Sequence, residues 1–180
     1  MKAYIFLADG FEEIEAITPI DLLRRANIEI TSVSISNSKT VIGAHNISIA
    51  ADAIFSEVNF EAADLLILPG GMPGTKNLDA HTGLKYILEQ QASQGKLIAA
   101  ICAAPSILGK MNLLKDKEAI CYPGFEDQLI GTSLSERKVV QSGALITAMG
   151  AGVAIEFSLK IIENLKGKAV ADQIAKTICQ

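Results

Sequence analysis

Histidine and cysteine are scarce in this sequence, which has two histidines, three cysteines and no tryptophan among its 180 residues. Cys102, Cys121 and Cys179 form no CxxC pair, which excludes a disulfide framework and a zinc site built on cysteines. His45 and His81 are too few and too far apart in the chain for a histidine-rich metal cluster. We therefore expect reduced thiols, with neither a metal ion nor a cofactor.

Long apolar runs and an excess of positive charge are also missing. The uncharged run at 97–109 falls short of the roughly 18 apolar residues that a membrane span needs, so no membrane partner is expected. The N-terminal stretch has one lysine and is followed by acids, unlike a secretory signal, which favours a cytoplasmic protein. The formal net charge of -4, with one basic pair at Arg24 and Arg25, gives no basis for binding nucleic acid.

What is present is a balanced globular composition, 49% hydrophobic and 20% charged. A chain of 180 residues suits one domain, and no repeat or linker divides it, so we predict a single domain over 1–180. Continuous apolar runs alternate with helical patterns, which indicates a doubly wound α/β fold with a parallel sheet covered on both faces. The predicted strands span 3–7, 28–35, 41–42, 47–49, 65–68, 97–101, 118–121, 138–140 and 145–147, and the predicted helices span 11–26, 81–94, 103–110, 153–165 and 168–178.

Open α/β sheets place their functional sites beyond the carboxyl ends of the strands, which selects the stretches 9–15, 69–74 and 102–105. The first stretch carries acids at the position where a dinucleotide site would bind the negatively charged pyrophosphate, which argues against such a site. A phospho-receiver aspartate is missing from the end of the strand at 65–68, and no serine hydrolase motif GxSxG occurs. The remaining candidate for chemistry is Cys102.

Cys102 follows a predicted strand and precedes a predicted helix in the stretch LIAAICAAPSIL. Unpaired backbone N–H groups and the helix dipole at such a position favour a thiolate and predict a lowered thiol pKa. Pro105 fits the first turn of a helix, where its missing N–H is not needed. A buried structural cysteine is the alternative, and on position alone it is the more common outcome.

The first predicted helix carries a carboxyl group in an unexpected place. At about 100° per residue, Glu15 falls within the apolar stripe formed by Phe11, Pro19, Leu22 and Ala26. Such a residue packs inward, unlike a surface acid near a helix N-terminus. A desolvated glutamate keeps its proton and can donate a hydrogen bond to a thiolate, so we pair Glu15 with Cys102.

The stretch PGGMPG at 69–74 supplies the third element. Glycine pairs often form tight turns, so this motif alone is weak evidence for a site. In a site, Gly71 can point its backbone N–H at an oxyanion, together with the N–H of Ala103. Gly70 is then a residue lining the same site.

Four stretches resemble the ThiJ/PfpI superfamily, in the branch of the Parkinson-disease-linked deglycase-like protein: DGFEEIEAITPIDLLRRA, LILPGGMPGTKNL, LIAAICAAPSIL and IEFSLKIIENLKGKAVADQIA. The resemblance implies a flavodoxin-like, mostly parallel sheet with helices on both faces, related to class I glutamine amidotransferase domains. It implies that Cys102 is the reactive cysteine, that Glu15 is the acid beside it, and that Gly71 and Ala103 are backbone donors. It also implies a homodimer, with the first helix and its end at Arg24 and Arg25 near the contact.

The chain departs from this family at two places. Tyr122 stands where many members have a histidine, and a tyrosine is a poor general base at neutral pH, so no histidine-assisted triad is expected. The family's SRGPGT stretch is replaced by residues 148–153, AMGAGV. Tyr122 and Cys121 are candidates for lining the site, although a core role is favoured for Cys121. His45 and His81 are expected to have surface or loop roles.

Two functions remain open for such a protein. The first is a stress-response enzyme in which Cys102 and Glu15 act on small reactive carbonyls such as methylglyoxal, as a glyoxalase or deglycase. The second is a sensor of oxidative stress or a chaperone, in which peroxide converts Cys102 to a sulfinate. Proteolysis, known in other branches of the superfamily, needs a cysteine–histidine pair that the sequence does not supply.

Overall fold

The computed structural model describes residues 1–180, and its centre is one seven-stranded sheet with the strand order β10-β11-β7-β6-β1-β2-β5. All neighbours in this sheet are parallel except the β10–β11 pair, so the predicted mostly parallel sheet is confirmed. The strands are β1 Lys2–Leu7, β2 Glu29–Ser34, β3 Thr40–Ile42, β4 Ser48–Ala50, β5 Ala53–Ile54, β6 Leu65–Leu68, β7 Leu97–Ile101, β8 Glu118–Ala119, β9 Ser133–Leu134, β10 Val139–Ser142 and β11 Leu145–Ala148.

Helices cover both faces of the sheet, and each face has its own apolar core. The helices are α1 Glu13–Arg25, α2 Gly74–Ala80, α3 Thr82–Ser93, α4 Pro105–Lys110, α5 Ala154–Lys166 and α6 Lys168–Thr177. Side chains of α1, α5 and α6 pack in one core, and side chains of α2, α3 and α4 pack in the other. Successive residues of a strand point to opposite faces, so Ile5 belongs to the first core and Phe6 to the second. This double burial explains why the inner strands are continuously apolar.

The observed elements differ from the predicted ones most clearly at residues 118–121 and in the region before residue 82. Residues 118–121 contribute only the two-residue strand β8, which pairs with β9 outside the main sheet. The helix predicted over 81–94 begins at Thr82 and is preceded by α2, which no pattern predicted because glycine and proline at 69–74 conceal its start. None of the helices combines the length and the apolar character required to cross a membrane.

Candidate active site

Three loops meet at the carboxyl edge of the sheet, because β1, β6 and β7 lie side by side in it. Backbone hydrogen bonds join the loop after β1 to the loop after β6: Glu12 N–H donates to Gly70 O at 3.0 Å, and Gly74 N–H donates to Gly10 O at 3.1 Å. Cys102 follows β7 directly, and the three stretches selected from the sequence therefore converge on one site.

Cys102 lies on a sharp turn between strand and helix. Its φ of 64° is in the left-handed region, which is uncommon for a residue other than glycine and is typical of a nucleophile held on a strained turn. The turn is held on both sides, since the Cys102 N–H donates to Ala148 O at 2.9 Å and the Tyr122 N–H donates to Cys102 O at 2.8 Å. These two bonds hold the cysteine backbone between β11 and the segment after β8.

The helix after the cysteine begins later than predicted. Residues 102–104 form a turn, in which the Ala104 N–H donates to Ile101 O at 3.1 Å, and α4 starts at Pro105. The thiol consequently lies before the first helical turn, and the N–H groups that favour its charged form belong to Ala103 and Gly71. Both donors were predicted from the sequence.

The predicted lowering of the thiol pKa by position alone is wrong. Burial and the adjacent Glu15 carboxylate together raise the pKa of Cys102 to about 12. The N–H groups of Ala103 and Gly71 lower the pKa, but by less. Burial was not evident from the sequence, because it comes from residues far away in the chain. The thiol nevertheless remains partly exposed to solvent.

Glu15 is fully buried, at 0% exposure, as its place in the apolar stripe predicted. Its Oε2 accepts a hydrogen bond of 2.8 Å from the Gly70 N–H, whereas its Oε1 has no hydrogen-bond partner. Burial raises the pKa of Glu15 to about 7, although contacts with Cys102 and the backbone of Gly70 lower it. The carboxyl group therefore exchanges its proton near neutral pH.

Cys102 and Glu15 titrate together, so the first proton to leave belongs to the pair and not to one residue alone. The thiol is the better solvated of the two groups, because it is partly exposed and faces two backbone N–H donors. Burial disfavours the ionised form of Glu15, although a hydrogen bond from the Cys102 thiol opposes that effect. We propose that, whenever the sulfur carries the charge, Oε1 keeps its proton and donates a hydrogen bond to the thiolate.

Gly70 is required by the close approach of Glu15 and Cys102. A Cβ atom at this position would lie 2.6 Å from Glu15 Oε2 and 2.7 Å from Cys102 Cβ, both too close for any side chain. Gly71 is required by its φ of 89°, which turns its N–H toward the sulfur. The structure thus explains why both positions are glycine, which the sequence motif alone did not establish.

The segment that replaces the family's SRGPGT stretch contains a site residue that the sequence analysis missed. A Cβ built on Gly150 would lie 4.0 Å from Cys102 Sγ and 3.3 Å from the Tyr122 ring. Tyr122 is 50% exposed and lies at the opening of the site. Cys121, in contrast, is 1% exposed and packs in the core on the other face of the sheet from the one that Cys102 contacts, so it does not line the site.

Neither histidine acts on the thiol. His81 caps α3, since the Leu84 N–H donates to its Nδ1 at 2.9 Å, and its ring packs against Phe55. His45 is exposed, and its Nδ1 lies 2.8 Å from a carboxylate oxygen of Glu13, which raises the pKa of His45.

One group of side chains, Glu12, Glu13 and His45, places potential metal-ligand atoms within 4.8 Å of one another. The Glu13 carboxylate already accepts from both the backbone and the ring of His45, and these bonds account for the cluster without a metal ion.

The model of the DJ-1/PfpI family matches residues 1–164. The chain belongs to the DJ-1/PfpI family. It is 37% identical to Protein dj-1beta of Drosophila melanogaster over 177 residues, which is 97% of this chain and 95% of that protein. It is 37% identical to Protein DJ-1 homolog A of Arabidopsis thaliana, but it spans only 45% of that relative's length.

Two further comparisons concern activity and structure in the DJ-1/PfpI family. The chain is 32% identical to the Caenorhabditis elegans protein named Glutathione-independent glyoxalase DJR-1.2, over 93% of this chain and 90% of that protein. The solved structure of oxidized Toxoplasma gondii DJ-1 superposes with a TM-score of 0.95 at 38% identity, over 99% of this chain and 97% of that one. The flavodoxin-like fold expected from the resemblance is confirmed.

The charge state of the pair can be tested by alkylation. If Oε1 donates its proton to the thiolate, Glu15→Leu removes a charge-assisted hydrogen bond of roughly 1.5–3 kcal/mol and raises the pKa of the thiol by about one to two pH units. Glu15→Gln keeps an N–H donor and raises it less. The measurement is the rate of iodoacetamide alkylation of Cys102 against pH.

The matched control is Glu89→Leu, an exposed acid on α3, which should leave the midpoint unchanged. A midpoint in Glu15→Leu that is unchanged or lower than in the wild type would mean that an ionised Glu15 repels the thiolate, and would refute the donor role.

Proposed function

We propose that this chain is a cofactor-independent enzyme that acts in the cytoplasm on small reactive carbonyl compounds such as methylglyoxal. The observation that carries the proposal is the buried Glu15 carboxyl group, with one free oxygen and a pKa of about 7, beside a partly exposed thiol on a strained turn. An acid–base group is most effective when its pKa is near the working pH. The glyoxalase named among the relatives supports the same reaction class.

The reaction begins when the Cys102 thiolate adds to the aldehyde carbon, forming a C–S bond and an alkoxide that the N–H groups of Gly71 and Ala103 stabilise. Glu15 protonates the alkoxide, and the product is a hemithioacetal. The Glu15 carboxylate then takes the proton from the former aldehyde carbon, which gives an enediolate, and returns it to the former ketone carbon. The hydroxyl proton passes from the first oxygen to the second in the same step.

This isomerisation oxidises one carbon and reduces its neighbour, so no external oxidant is needed. Its product is a lactate thioester of Cys102. Water hydrolyses the thioester, releasing lactate and the free thiol.

Lactate formation from methylglyoxal tests this function directly. We expect Cys102→Ala to abolish turnover, because no other group forms the C–S bond. We expect Glu15→Leu to lower kcat by about 100-fold or more, which is the usual contribution of a positioned acid–base group. Cys179→Ala, at an exposed cysteine, is the matched control and should keep full activity. A wild-type protein that forms no lactate would rule out the proposal.

A second function, the sensing of peroxide, is favoured by one observation of its own. Beside the partly exposed thiol lies the buried Oε1 of Glu15, and in the protonated form its O–H group can donate a hydrogen bond to an oxygen of the oxidised sulfur. The similar structure from Toxoplasma gondii is of an oxidized protein, which supports the same chemistry. Two equivalents of peroxide would convert the thiolate first to a sulfenate and then to a sulfinate.

The two other cysteines are internal controls for this second function. With limiting peroxide, we expect oxygen to be added at Cys102 before Cys121 or Cys179, since Cys121 is buried and Cys179 has no acid–base partner. Peptide mass analysis after partial reaction gives the order. Earlier oxidation of Cys179 or Cys121 would show that Cys102 is not the dominant reactive thiol.

We also propose that the chain forms a homodimer through α1 and the hairpin of β3 and β4. Ile14 and Ile17 are exposed on α1, and Ile42 and Ile47 are exposed on this hairpin. The hairpin is joined to the start of α1 by hydrogen bonds, so these four side chains belong to neighbouring elements. Exposed apolar patches of this kind are typical of interaction sites. Arg24 and Arg25, expected near the contact, are paired within the chain with Asp52 and Asp21.

Light scattering tests the dimer at micromolar concentration. We expect a dimer mass for the wild type and a monomer mass for Ile17→Glu, since a charge at a dry interface is costly. Ile130→Glu is the matched control, because Ile130 is also exposed but lies away from α1 and its hairpin. A monomeric wild type, or a dimer that Ile17→Glu leaves intact, would contradict the proposed contact.

A further inference from the structure

A shallow cavity of about 390 Å³ is lined by residues that border the site of Cys102. Its wall includes Gly150, the residue at which a Cβ would lie 4.0 Å from Cys102 Sγ, so the cavity and the sulfur share this residue as a neighbour. Its size is at the lower end of the range for ligand clefts. The full lining is Tyr122, Pro123, Lys138, Met149, Gly150, Ala151, Gly152 and Val153.

Lys138 is the one charged side chain in this lining, and no acid faces it there. Its neighbour Arg137 points elsewhere and is held by Glu118 at 2.6 Å, as expected for adjacent residues of extended chain. None of the ion pairs in the chain includes Lys138. A free ammonium group thus lies at the opening of a cavity in a protein whose net charge is -4.

The polar groups of the cavity are complementary to an anion. The Tyr122 hydroxyl can donate a hydrogen bond, and Lys138 supplies a positive charge. At Gly152 a Cβ would meet nothing within 4 Å, so the wall at this position is open. The family's SRGPGT stretch has an arginine at the position where this chain has the uncharged Met149, which lines the cavity.

We propose that Lys138 selects substrates in which the reactive carbonyl carries a carboxylate or phosphate group one or two carbons away. The inference rests on the proposed carbonyl chemistry of Cys102 and adds the substrate class. The ammonium group binds the anion at the opening of the cavity, and the carbonyl carbon is directed toward the sulfur. Lys138 is accordingly a specificity-determining residue that contacts the part of the substrate that does not react.

The test uses two alkylating reagents of nearly equal size, anionic iodoacetate and neutral iodoacetamide. Each forms an S–C bond to Cys102 and releases iodide, so the ratio of their rate constants reports how the site treats a carboxylate. We expect Lys138→Met to lower the iodoacetate to iodoacetamide ratio about fivefold at low salt, the effect of one unit charge at about 4 Å in water. Lys138→Arg should keep the wild-type ratio, and 0.5 M salt should abolish the difference between variants.

The matched control is Lys166→Met, which removes an exposed lysine from the opposite end of α5 and should leave the ratio unchanged. Glu15 is present in every protein, so its charge cancels in the comparison. An unchanged ratio in Lys138→Met, or an equal drop in Lys166→Met, would overturn the proposal, since either result means that Lys138 does not act on a bound anion.

Turnover separates this inference from the proposed function. With hydroxypyruvaldehyde phosphate as the anionic 2-oxoaldehyde and methylglyoxal as the neutral one, Lys138→Met should lower kcat/KM by at least about fivefold for the phosphate compound only. Activity on methylglyoxal with no effect of Lys138 on the phosphate compound would refute the selectivity and leave the carbonyl chemistry standing. No turnover of either compound, with the alkylation ratio still dependent on Lys138, would refute the carbonyl chemistry and show that the cavity binds anions for another purpose.

Discussion

The hydrogen bond from the Gly70 N–H to the buried carboxyl group of Glu15 holds the candidate site together. It joins the first turn of α1 to the loop after β6, and the thiol of Cys102 fits against both. The contact requires a residue without a side chain at position 70 and a turn that carries the cysteine backbone into the left-handed region. Because the carboxyl group is enclosed by these neighbours, its pKa is raised to about 7, and part of it keeps its proton at neutral pH.

Much of this arrangement could be predicted from the sequence, because it depends on local periodicity. Glu15 was assigned to the interior since it falls on the apolar stripe of a helix, and the stripe faces the sheet as expected. Cys102 was assigned to the site since it follows a buried strand, and strands β1, β6 and β7 bring their ends together. The parallel sheet itself follows from continuous apolar runs that alternate with helices.

The remaining features depend on contacts between residues distant in the chain, which no local pattern reveals. The sequence predicts a lowered thiol pKa at a helix start, but α4 starts at Pro105 and Cys102 is partly buried, so burial raises the pKa. Cys121 follows a short apolar run and is near Cys102 through the backbone, yet the sheet separates the two side chains into different cores. His81 resembles a candidate base in sequence, but its ring serves as the cap of α3.

In the proposed reaction, the replacement of the family histidine by Tyr122 leaves Glu15 as the acid–base group. A group with a pKa of about 7 is present in both its protonated and ionised forms at neutral pH, so one carboxyl group can first donate and then accept a proton. A histidine is then unnecessary for moving a proton between two adjacent carbons, although it would be needed to activate water for peptide hydrolysis. Tyr122 lines the cavity, and its ring is half exposed. With Met149 at the segment where the family has its arginine, the positive charge facing this cavity comes instead from Lys138, just before the edge strand β10. The proposed catalytic pair and the proposed selecting charge therefore lie on separate elements of the fold.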